Sequence, residues 1–360
     1  MNIHLYLNLF CAAVMLVGCD SASKVSGQTD DLLKSFGLKV GTYTYHADID
    51  QETGLARIGG IEYGGQTNAV RYELAEGAAI EPDPNAFVSD WPEEQTFTVT
   101  DGVRTKDYKV VLTSYVADLP ETEGKELIFF DDFNSPDNRL DQDLWKYVPK
   151  GTAAWQADMS GSPDQAYIEN GNLVLVAEKT ADGVLKAGGI KSEYLQNIQW
   201  PCHIEAKCRF VDDCEHVGQA FWLMPDSRYQ TYQGWPDGGE IDIMEHSYLH
   251  DYVQQTVHTH YIDRAPGNNY MGKPVYYGYN QDRYNIYGLD ILENEIVFYV
   301  NGIKTGTYSN MKLADEAVQK QWPFRAPYYV ILSISPNGEK RLEPGQASYM
   351  YIDWVKAVKL

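Results

Sequence analysis

The sequence is poor in positive charge and in cysteine. Its 360 residues include 29 Lys and Arg against 51 Asp and Glu, a formal net charge of −22. A nucleic-acid binder needs a basic surface, so this balance excludes nucleic acid as a partner. With 44 % hydrophobic and 22 % charged residues, the composition is that of a folded protein.

Cysteine is too scarce for a disulfide framework. After Cys19 only Cys202, Cys208 and Cys214 remain, an odd number, so a large core must stabilise the chain. Cys202 and Cys208 are six residues apart on one predicted strand, roughly 20 Å along it, and cannot bridge each other. A pair between Cys208 and Cys214 across a turn is left open.

The first eighteen residues contain no Asp, Glu, Lys or Arg, and an apolar stretch runs from Leu5 to Gly18, interrupted by Asn8. This stretch is too short to span a bilayer and is typical of a secretory signal. Leu16-Val17-Gly18-Cys19 resembles the lipobox of bacterial lipoproteins, which implies a lipid on Cys19 and a membrane-anchored protein of the cell envelope. An uncleaved short anchor is the alternative. We therefore expect a signal peptide over residues 1–18 and a flexible tether over residues 19–31.

Residues 32–116 predict a small β-sandwich. Phe97 and Val99 alternate with threonines, Asp101-Gly102 follows as a turn, and the alternation resumes at Tyr108, so this segment predicts a hairpin. The pattern resembles the immunoglobulin-like modules that precede catalytic domains in surface lipoproteins of gut Bacteroidetes. A spacer is the expected role, with glycan binding as the alternative. Residues 117–126, which hold Pro120, Gly124 and four acids, predict a linker.

Residues 127–360 predict a single all-β domain. Short β-type runs are separated by turn signals such as Asn170-Gly171 and Asn301-Gly302. Only Leu313 to Gln321 indicates a helix. The predicted strands include Leu173 to Ala177, His203 to Phe210, Ala220 to Met224, Glu295 to Val300 and Tyr328 to Ile334.

The segment from Glu240 to Glu245 is the candidate catalytic motif. On a strand, Glu240 and Asp242 share one face while the intervening isoleucines face the core. Strict alternation would turn Glu245 inward, but a β-bulge around Ile243 and Met244 would return it to the acidic face. The sequence therefore predicts a bulge and three carboxyls in one cleft.

Two carboxyls about 5 Å apart are what a retaining glycosidase requires, one as nucleophile and one as general acid and base. An Asp between them would shift both pKa values, so that one Glu holds a proton near neutral pH. The residue types alone do not say which Glu has which role. An exposed acidic strand and a calcium-binding edge are the alternatives at this point.

The motif from Glu240 to Glu245 resembles the Glu-x-Asp-x-x-Glu signature of glycoside hydrolase family 16, the laminarinase and agarase group. The resemblance covers about residues 127 to 360. Further segments that resemble the family, in order along the chain, are Phe129 to Phe133, Leu140-Asp141 with Trp145, Gly171 to Leu175, Ile204 to Lys207, Ala220 to Met224, Ile296 to Gly302 and Tyr351 to Val355.

The resemblance implies a β-jelly roll whose concave sheet forms the cleft. It also implies that Glu240 is the nucleophile, Asp242 its helper and Glu245 the general acid and base. Trp235 matches an aromatic residue that the family places near the cleaved sugar, and His258 matches a histidine beside the carboxyls.

Aromatic side chains offer flat faces on which sugar rings stack. Besides Trp235, the sequence suggests Trp155, Trp222, Tyr232 and Trp322 for substrate binding, although aromatic residues are equally common in β-sandwich cores. His258 and His260 share a strand face and could present two imidazoles to zinc. No His-Glu-x-x-His motif or cysteine pair supports such a site, so we predict no catalytic metal.

The combined prediction is a monomeric lipoprotein that hydrolyses a β-linked polysaccharide with retention and without a cofactor. A structural calcium is left open. The expected substrate is β-1,3-glucan or mixed β-1,3/1,4-glucan, by resemblance to the laminarinases. The alternatives are a β-galactosyl polymer, either an algal galactan or a host mucin-type chain, and a non-catalytic glycan-binding protein.

Overall fold

The computed structural model describes residues 31–40, 43–59, 67, 69–113, 125–135, 137–211, 217–247, 250, 252–264, 275–279, 284–336 and 342–360. The predicted signal peptide, Cys19, Cys214 and most of the predicted tether and linker lie outside these residues. Within them, no helix has both the length and the hydrophobicity needed to cross a bilayer.

The N-terminal part is a sandwich of two sheets. One sheet has the strand order β2–β1–β5 and the other β3–β4–β8–β7–β6, with β4 and β8 parallel. A 3₁₀ helix spans Pro84–Phe87. The strands are β1 (Leu33–Val40), β2 (Tyr43–His46), β3 (Asp48–Asp50), β4 (Leu55–Gly59), β5 (Ala69–Leu74), β6 (Ala79–Glu81), β7 (Glu94–Thr100) and β8 (Thr105–Thr113).

Both sheets contribute side chains to one hydrophobic core. Phe36 on β1 packs against Phe97 on β7, and the two rings surround Trp91. The alternation at Phe97 and Val99 thus buries one face of β7, as expected for a strand with one solvent face. The predicted hairpin is confirmed, because β7 and β8 pair antiparallel in a register that joins Phe97 to Tyr108.

The C-terminal part is a larger sandwich with β9 (Leu127–Asp131), β10 (Lys146–Tyr147), β11 (Ala166–Glu169), β12 (Asn172–Lys179), β13 (Leu185–Ala187), β14 (Gly189–Lys191), β15 (Cys202–Phe210), β16 (Val217–Pro225), β17 (Glu240–Ser247), β18 (Tyr252–His258), β19 (Val275–Gly278), β20 (Asn285–Ile291), β21 (Glu295–Val300), β22 (Ile303–Ser309), β23 (Tyr328–Pro336) and β24 (Ala347–Lys359). Two one-turn helices, α1 (His260–Asp263) and α2 (Glu316–Gln319), and a 3₁₀ helix over Ala154–Gln156 complete it.

These strands form two antiparallel sheets. The seven-stranded sheet runs β10–β14–β23–β16–β17–β18–β19, and the nine-stranded sheet contains β11–β12–β24–β15–β20–β21–β22 with β13 and β9 at its side. Between them lies a core to which β15 contributes Ile204 and the free thiols Cys202 and Cys208, while β17 contributes Ile241 and Ile243. The two sandwiches confirm the predicted all-β class.

The turn signals in the sequence have the expected conformation. Asn170 and Gly171 join β11 to β12 with positive φ at both residues, and Asn301-Gly302 does the same between β21 and β22. Such φ values are typical of tight hairpin turns, in which Asn and Gly are favoured. The predicted helix from Leu313 to Gln321 is shorter than expected, because α2 covers only Glu316–Gln319 and ends at Lys320 in a left-handed conformation.

Candidate active site

One face of the seven-stranded sheet bears a cleft of about 900 Å³. Side chains from β14, β16, β17 and β23 and from the 3₁₀ helix near residue 155 line it. Glu240, Asp242 and Glu245 all reach this cleft, together with Trp155, Trp222 and Trp235. The structure therefore brings the three acids of the motif and three of the suggested aromatic residues into one place.

A β-bulge in β17 puts the three acids on one face. On the neighbouring strand, Trp222 pairs with Asp242 but Phe221 pairs with Met244, so Ile243 is the extra residue. The register with β18 shifts over the same residues, between Asp242 and Glu245. The predicted bulge is confirmed. It keeps Ile243 and Met244 in the core while turning Glu245 back into the cleft.

His258 is held between two carboxylates. Its Nε2 lies 3.2 Å from Oδ2 of Asp242, and its Nδ1 lies 2.9 Å from Oδ1 of Asp263 in α1. Burial lowers the pKa of His258, but the bonds to Asp242 and Asp263 outweigh burial and raise the pKa above its usual value. The ring is thus a cation that faces the buried Asp242.

Burial raises the pKa of Glu240, and the neighbouring Asp242 raises it further. The His258 cation and a hydrogen bond from the Trp235 indole act in the opposite direction and favour the carboxylate. Burial also raises the pKa of Asp242, whereas its contact with Glu240 and its ion pair with His258 lower it. A negative charge on Glu240 is therefore favoured by one cation, His258, and by one hydrogen-bond donor, the Trp235 indole.

Glu245 has surroundings similar to those of Glu240, and the charge of the His258 cation favours its carboxylate too. Burial, followed by the charge of Asp242, raises its pKa to about 8. Nε2 of Gln254 on β18 donates to its Oε2 at 3.2 Å, and this amide carries no charge. Burial and the charge of Asp242 also raise the pKa of Glu240 to about 8, so either glutamate can hold a proton near neutral pH.

Asp237 fixes the loop that leads into β17. Its carboxylate forms an ion pair with Lys320 and lies 3.1 Å from Nδ1 of His260, and Arg264 is 3.8 Å away. Arg264 also donates to the carbonyl oxygen of Trp235 at 2.8 Å. These contacts hold the Trp235 indole, which is half exposed, at the mouth of the cleft.

The suggested aromatic residues divide into two groups. Trp155 stands edge-on against Trp222 with ring centroids 4.7 Å apart, and both line the cleft. Tyr232 lies outside the cleft lining, with its hydroxyl donating to the carbonyl of Glu316. Trp322 is 3 % exposed and packs in the core against Tyr308. The structure thus does not place Tyr232 or Trp322 with the acids.

One group of residues could hold a cation. Glu240, Asp242 and His258 each place a ligand atom within 4.8 Å of the others, and no second group of this kind occurs in the part of the chain that the structure describes. His258 and His260 diverge, since His258 contacts Asp242 and His260 contacts Asp237. The structure therefore does not place these two imidazoles in a common zinc site.

Sequence reasoning missed Asp263, Gln254 and Asp237. Asp263 and Gln254 come from α1 and β18, and their contacts depend on the register of β17 against β18. The only signal in the sequence for Asp237 is its position between Trp235 and Glu240.

The sequence of this chain is similar to those of known glycosidases. Residues 154–356 match the family model described as Glycosyl hydrolases family 16, and residues 33–133 match a domain of unknown function. A keratan-sulfate endo-1,4-beta-galactosidase of Sphingobacterium multivorum is 33 % identical over 216 residues, 59 % of this chain and 49 % of that protein. A beta-glucanase of Rhodothermus marinus is 32 % identical over 121 residues, 33 % of this chain and 42 % of that protein. The chain spans less than half the length of each of these relatives.

Two solved structures are also similar to this chain. One comes from work on endo-acting O-glycanases with which prominent members of the human gut microbiota initiate mucin breakdown. It is 30 % identical with a TM-score of 0.56, and the match covers 65 % of this chain and 99 % of that chain. The laminarinase from Rhodothermus marinus is 24 % identical with a TM-score of 0.57 over 65 % of this chain and 97 % of that chain, a likeness of fold.

Proposed function

Because the chain belongs to glycosyl hydrolase family 16, we propose that it cleaves β-linked glycans internally and with retention of configuration. The observation that carries this proposal is the placement of Glu240 and Glu245 in one cleft with Asp242 between them. A retaining glycosidase needs such a pair, one carboxyl as nucleophile and the other as proton donor. Burial and the Asp242 charge allow one of the two glutamates to keep a proton, and the resemblance of the motif to the family signature assigns that proton to Glu245 and the charge to Glu240.

In the proposed reaction, the Glu240 carboxylate attacks the anomeric carbon while Glu245 gives its proton to the leaving oxygen. The glycosidic C–O bond breaks and an ester forms between the sugar and Glu240. Glu245, now a carboxylate, takes a proton from water, and the resulting hydroxide displaces Glu240 from the sugar. Two inversions leave the configuration unchanged.

Asp242 acts on both steps through its charge. Because the His258 cation compensates it, Asp242 can remain ionised although it is buried. Its charge raises the pKa of Glu245 and so helps that residue to hold a proton until the leaving oxygen needs it. We assign Asp242 the role of tuning the pair, without covalent chemistry of its own.

We propose a β-galactosyl-containing glycan as the substrate. The keratan-sulfate endo-galactosidase matches over 59 % of this chain, and the structure from the O-glycanase work is 30 % identical. The second candidate is a β-glucan, which the sequence analysis favoured and the 32 % identity to a beta-glucanase supports over a shorter segment.

The charges of the cleft favour uncharged sugars next to the cleaved bond. Lys191 lines the cleft, but its Nζ lies 2.5 Å from the carboxylate of Glu193, which lines the cleft too. With three further acids in the lining, a sulfate or sialate bound there would face negative charge. We therefore expect cleavage within unsulfated stretches of the glycan.

The test is product analysis of the full chain incubated with keratan sulfate, mucin O-glycans, agarose, porphyran, laminarin and mixed-linkage β-glucan. Chromatography and a reducing-end assay would identify the cleaved polymer, and proton NMR of the first product would give its anomeric configuration. We expect oligosaccharides with retained configuration from a β-galactosyl glycan. Products from laminarin alone would assign the chain to β-glucans, and inverted products would overturn the mechanism.

A non-catalytic glycan binder is the competing class of function. Glu240→Gln separates the two, because it removes the nucleophile and preserves the shape of the site. We expect this variant to lose cleavage and to keep binding to the cleaved polymer in affinity electrophoresis. Full activity of Glu240→Gln would contradict the assigned role.

We also propose that the protein is a monomeric lipoprotein anchored in the cell envelope through Cys19. The sequence Leu16-Val17-Gly18-Cys19 supports this proposal. Expression with radiolabelled palmitate should label the protein but not its Cys19→Ala variant, and sedimentation of the lipid-free chain should give the mass of one copy. Since double displacement requires only carboxyls and water, we expect EDTA to leave the rate unchanged. A bound structural calcium would appear as a lower melting temperature in EDTA.

A further inference from the structure

The two sandwiches meet through their edge strands. β2 is the edge of the three-stranded sheet, and β19 is the edge of the seven-stranded sheet that bears the cleft. The Tyr45 hydroxyl on β2 donates to the carbonyl oxygen of Tyr279, which follows β19, at 3.0 Å. In return, the Tyr277 hydroxyl on β19 donates to the carbonyl of His46 at 3.5 Å. Tyr45 and Tyr277 are each 6 % exposed.

These two hydrogen bonds between the sandwiches have a physical reason. The outer side of an edge strand carries backbone groups without a neighbouring strand, and proteins commonly cover such edges. A buried tyrosine hydroxyl also requires a hydrogen-bond partner. The contact satisfies both requirements at once, and β4 approaches β22 alongside it. The N-terminal sandwich is therefore packed against the catalytic sandwich.

From Tyr279 the contacts continue into the strand that carries the acids. The Tyr279 hydroxyl lies 2.9 Å from Nε2 of His246 and 3.0 Å from the carbonyl of His250. It thereby connects His246, near the end of β17, with His250. Nδ1 of His246 lies 3.0 Å from Oε1 of Gln219, and its ring stacks on Phe210 with centroids 4.3 Å apart.

His246 directly follows Glu245, and both His246 and Gln219 belong to the cleft lining. We propose that the N-terminal sandwich braces the cleft, with Tyr45 holding the β19 edge and, through Tyr279 and His246, the end of β17 that positions Glu245. Its partner is thus the catalytic sandwich of the same chain. Tyr45 and Tyr279 are positioning residues in this proposal.

The described surface of the N-terminal sandwich favours bracing over glycan binding. Its single tryptophan, Trp91, is 1 % exposed, and Phe36, Phe97 and Tyr108 are equally buried. Among the aromatic side chains described there, Tyr72 is the most exposed, at 37 %, and its ring stacks on Phe36. A platform of adjacent exposed rings, on which sugars could stack, is absent from the described part of this sandwich.

The proposal is tested by hydrogen exchange with mass spectrometry on the full chain and its Tyr45→Phe and Tyr45→Asp variants. Tyr45→Phe removes only the hydroxyl, whereas Tyr45→Asp places a charge in the contact and should separate the sandwiches. We expect amides of β19 and of the end of β17 to exchange roughly three- to tenfold faster in Tyr45→Phe, the range for loss of one hydrogen bond, and faster still in Tyr45→Asp. Unchanged protection of β7 and β8 would show that the N-terminal sandwich is still folded.

The matched controls are Tyr72→Phe and Tyr72→Asp, which alter an exposed tyrosine of the same sandwich. We expect neither to change exchange at β19. Unchanged protection of β19 and of the end of β17 in a folded Tyr45→Asp variant would overturn the proposal.

The catalytic part of the inference rests on the proposed function. On the polymer that the chain cleaves, Tyr45→Asp should lower kcat with KM nearly unchanged, because the variant disturbs Glu245 and leaves the tryptophans that line the cleft in place. A rise in KM as large as the fall in kcat would contradict a positioning role for Tyr45. The exchange measurement requires no substrate, so it distinguishes failure of the brace from failure of the glycosidase proposal.

Discussion

His258 lies 3.2 Å from Asp242 through Nε2, a contact between an imidazole and a carboxylate that is 3 % exposed. An isolated buried carboxylate is unstable as an anion, so Asp242 can stay charged only where a cation or donors compensate it. Asp263 on the other ring nitrogen keeps the imidazole protonated and correctly oriented. The charge state of the three acids thus depends on Asp263, which acts through its contact with His258 and through its own charge near Asp242.

Asp263→Asn tests this dependence. The substitution removes one of the bonds that raise the pKa of His258, so the ring loses its proton at lower pH and Asp242 loses its cation. We expect kcat/KM to fall roughly tenfold, about the effect of one charge-assisted hydrogen bond, and to fall more at pH 8 than at pH 6. Asp182→Asn in an exposed turn is the control and should leave the profile unchanged. An equal loss at both pH values would show that Asp263 acts through orientation only.

Asp242→Asn should move the alkaline limb of the activity profile. Burial raises the pKa of Glu245 most, and the Asp242 charge adds to this effect to bring the pKa to about 8, so removal of that charge lets Glu245 lose the catalytic proton at lower pH. We expect the midpoint of the alkaline limb of kcat/KM to move to lower pH by about one pH unit, equivalent to ~1.4 kcal/mol. Glu193→Gln removes another cleft carboxylate and should not move the limb. A limb that stays in place in Asp242→Asn would assign the titration to a group other than Glu245.

The roles of the two glutamates can be assigned by rescue with azide, using an activated aryl oligosaccharide of the cleaved polymer. Glu240→Ala leaves space beside the anomeric carbon, so azide should attack there directly and give a glycosyl azide of inverted configuration. In Glu245→Ala the ester to Glu240 still forms, and azide attack on it should give retained configuration. Without azide, we expect each variant to lose roughly 10⁴-fold or more in kcat on the polymer. Retained configuration from Glu240→Ala and inverted configuration from Glu245→Ala would reverse the roles assigned to the two glutamates.

The sequence predicted the part of the site that lies on one strand. Alternation along β17 gave the common face of Glu240 and Asp242, and the need to bring Glu245 to that face predicted the bulge that the register of β16 shows. Local periodicity carries this information because side-chain direction on a strand follows from position alone.

Contacts between distant segments could not be read in the same way. Tyr45 and Tyr279 are 234 residues apart, and nothing in either local pattern indicates their contact. Trp222 and Trp322 have the same chemistry, yet the first lines the cleft and the second packs in the core. Residue type sets what a side chain can do, whereas the packing of the sheets decides where it lies.

A second buried polar cluster lies on the nine-stranded sheet, away from the cleft. His203 is fully buried, with Nδ1 2.6 Å from Oδ1 of Asp290 and Nε2 3.3 Å from Oε2 of Glu205. Nζ of Lys356 lies 2.8 Å from the other oxygen of Glu205, and the Tyr299 hydroxyl donates to Asp290. Burial alone would lower the pKa of His203, but the bonds to Asp290 and Glu205 raise it above its usual value.

This cluster predicts a pH-dependent stability. Because the pKa of His203 is higher in the folded chain than the unfolded value of about 6.5, its contribution is complete below that pH and is lost as the pH rises through the folded pKa. We expect His203→Gln to lower the free energy of unfolding by about 3 kcal/mol at pH 5.5, since it leaves buried Asp290 without the His203 cation and Glu205 with Lys356 alone, and by less at pH 9. Urea unfolding of both proteins at the two pH values measures the difference. A loss that is the same at both values would mean that the ring acts by packing and hydrogen bonding rather than by its charge.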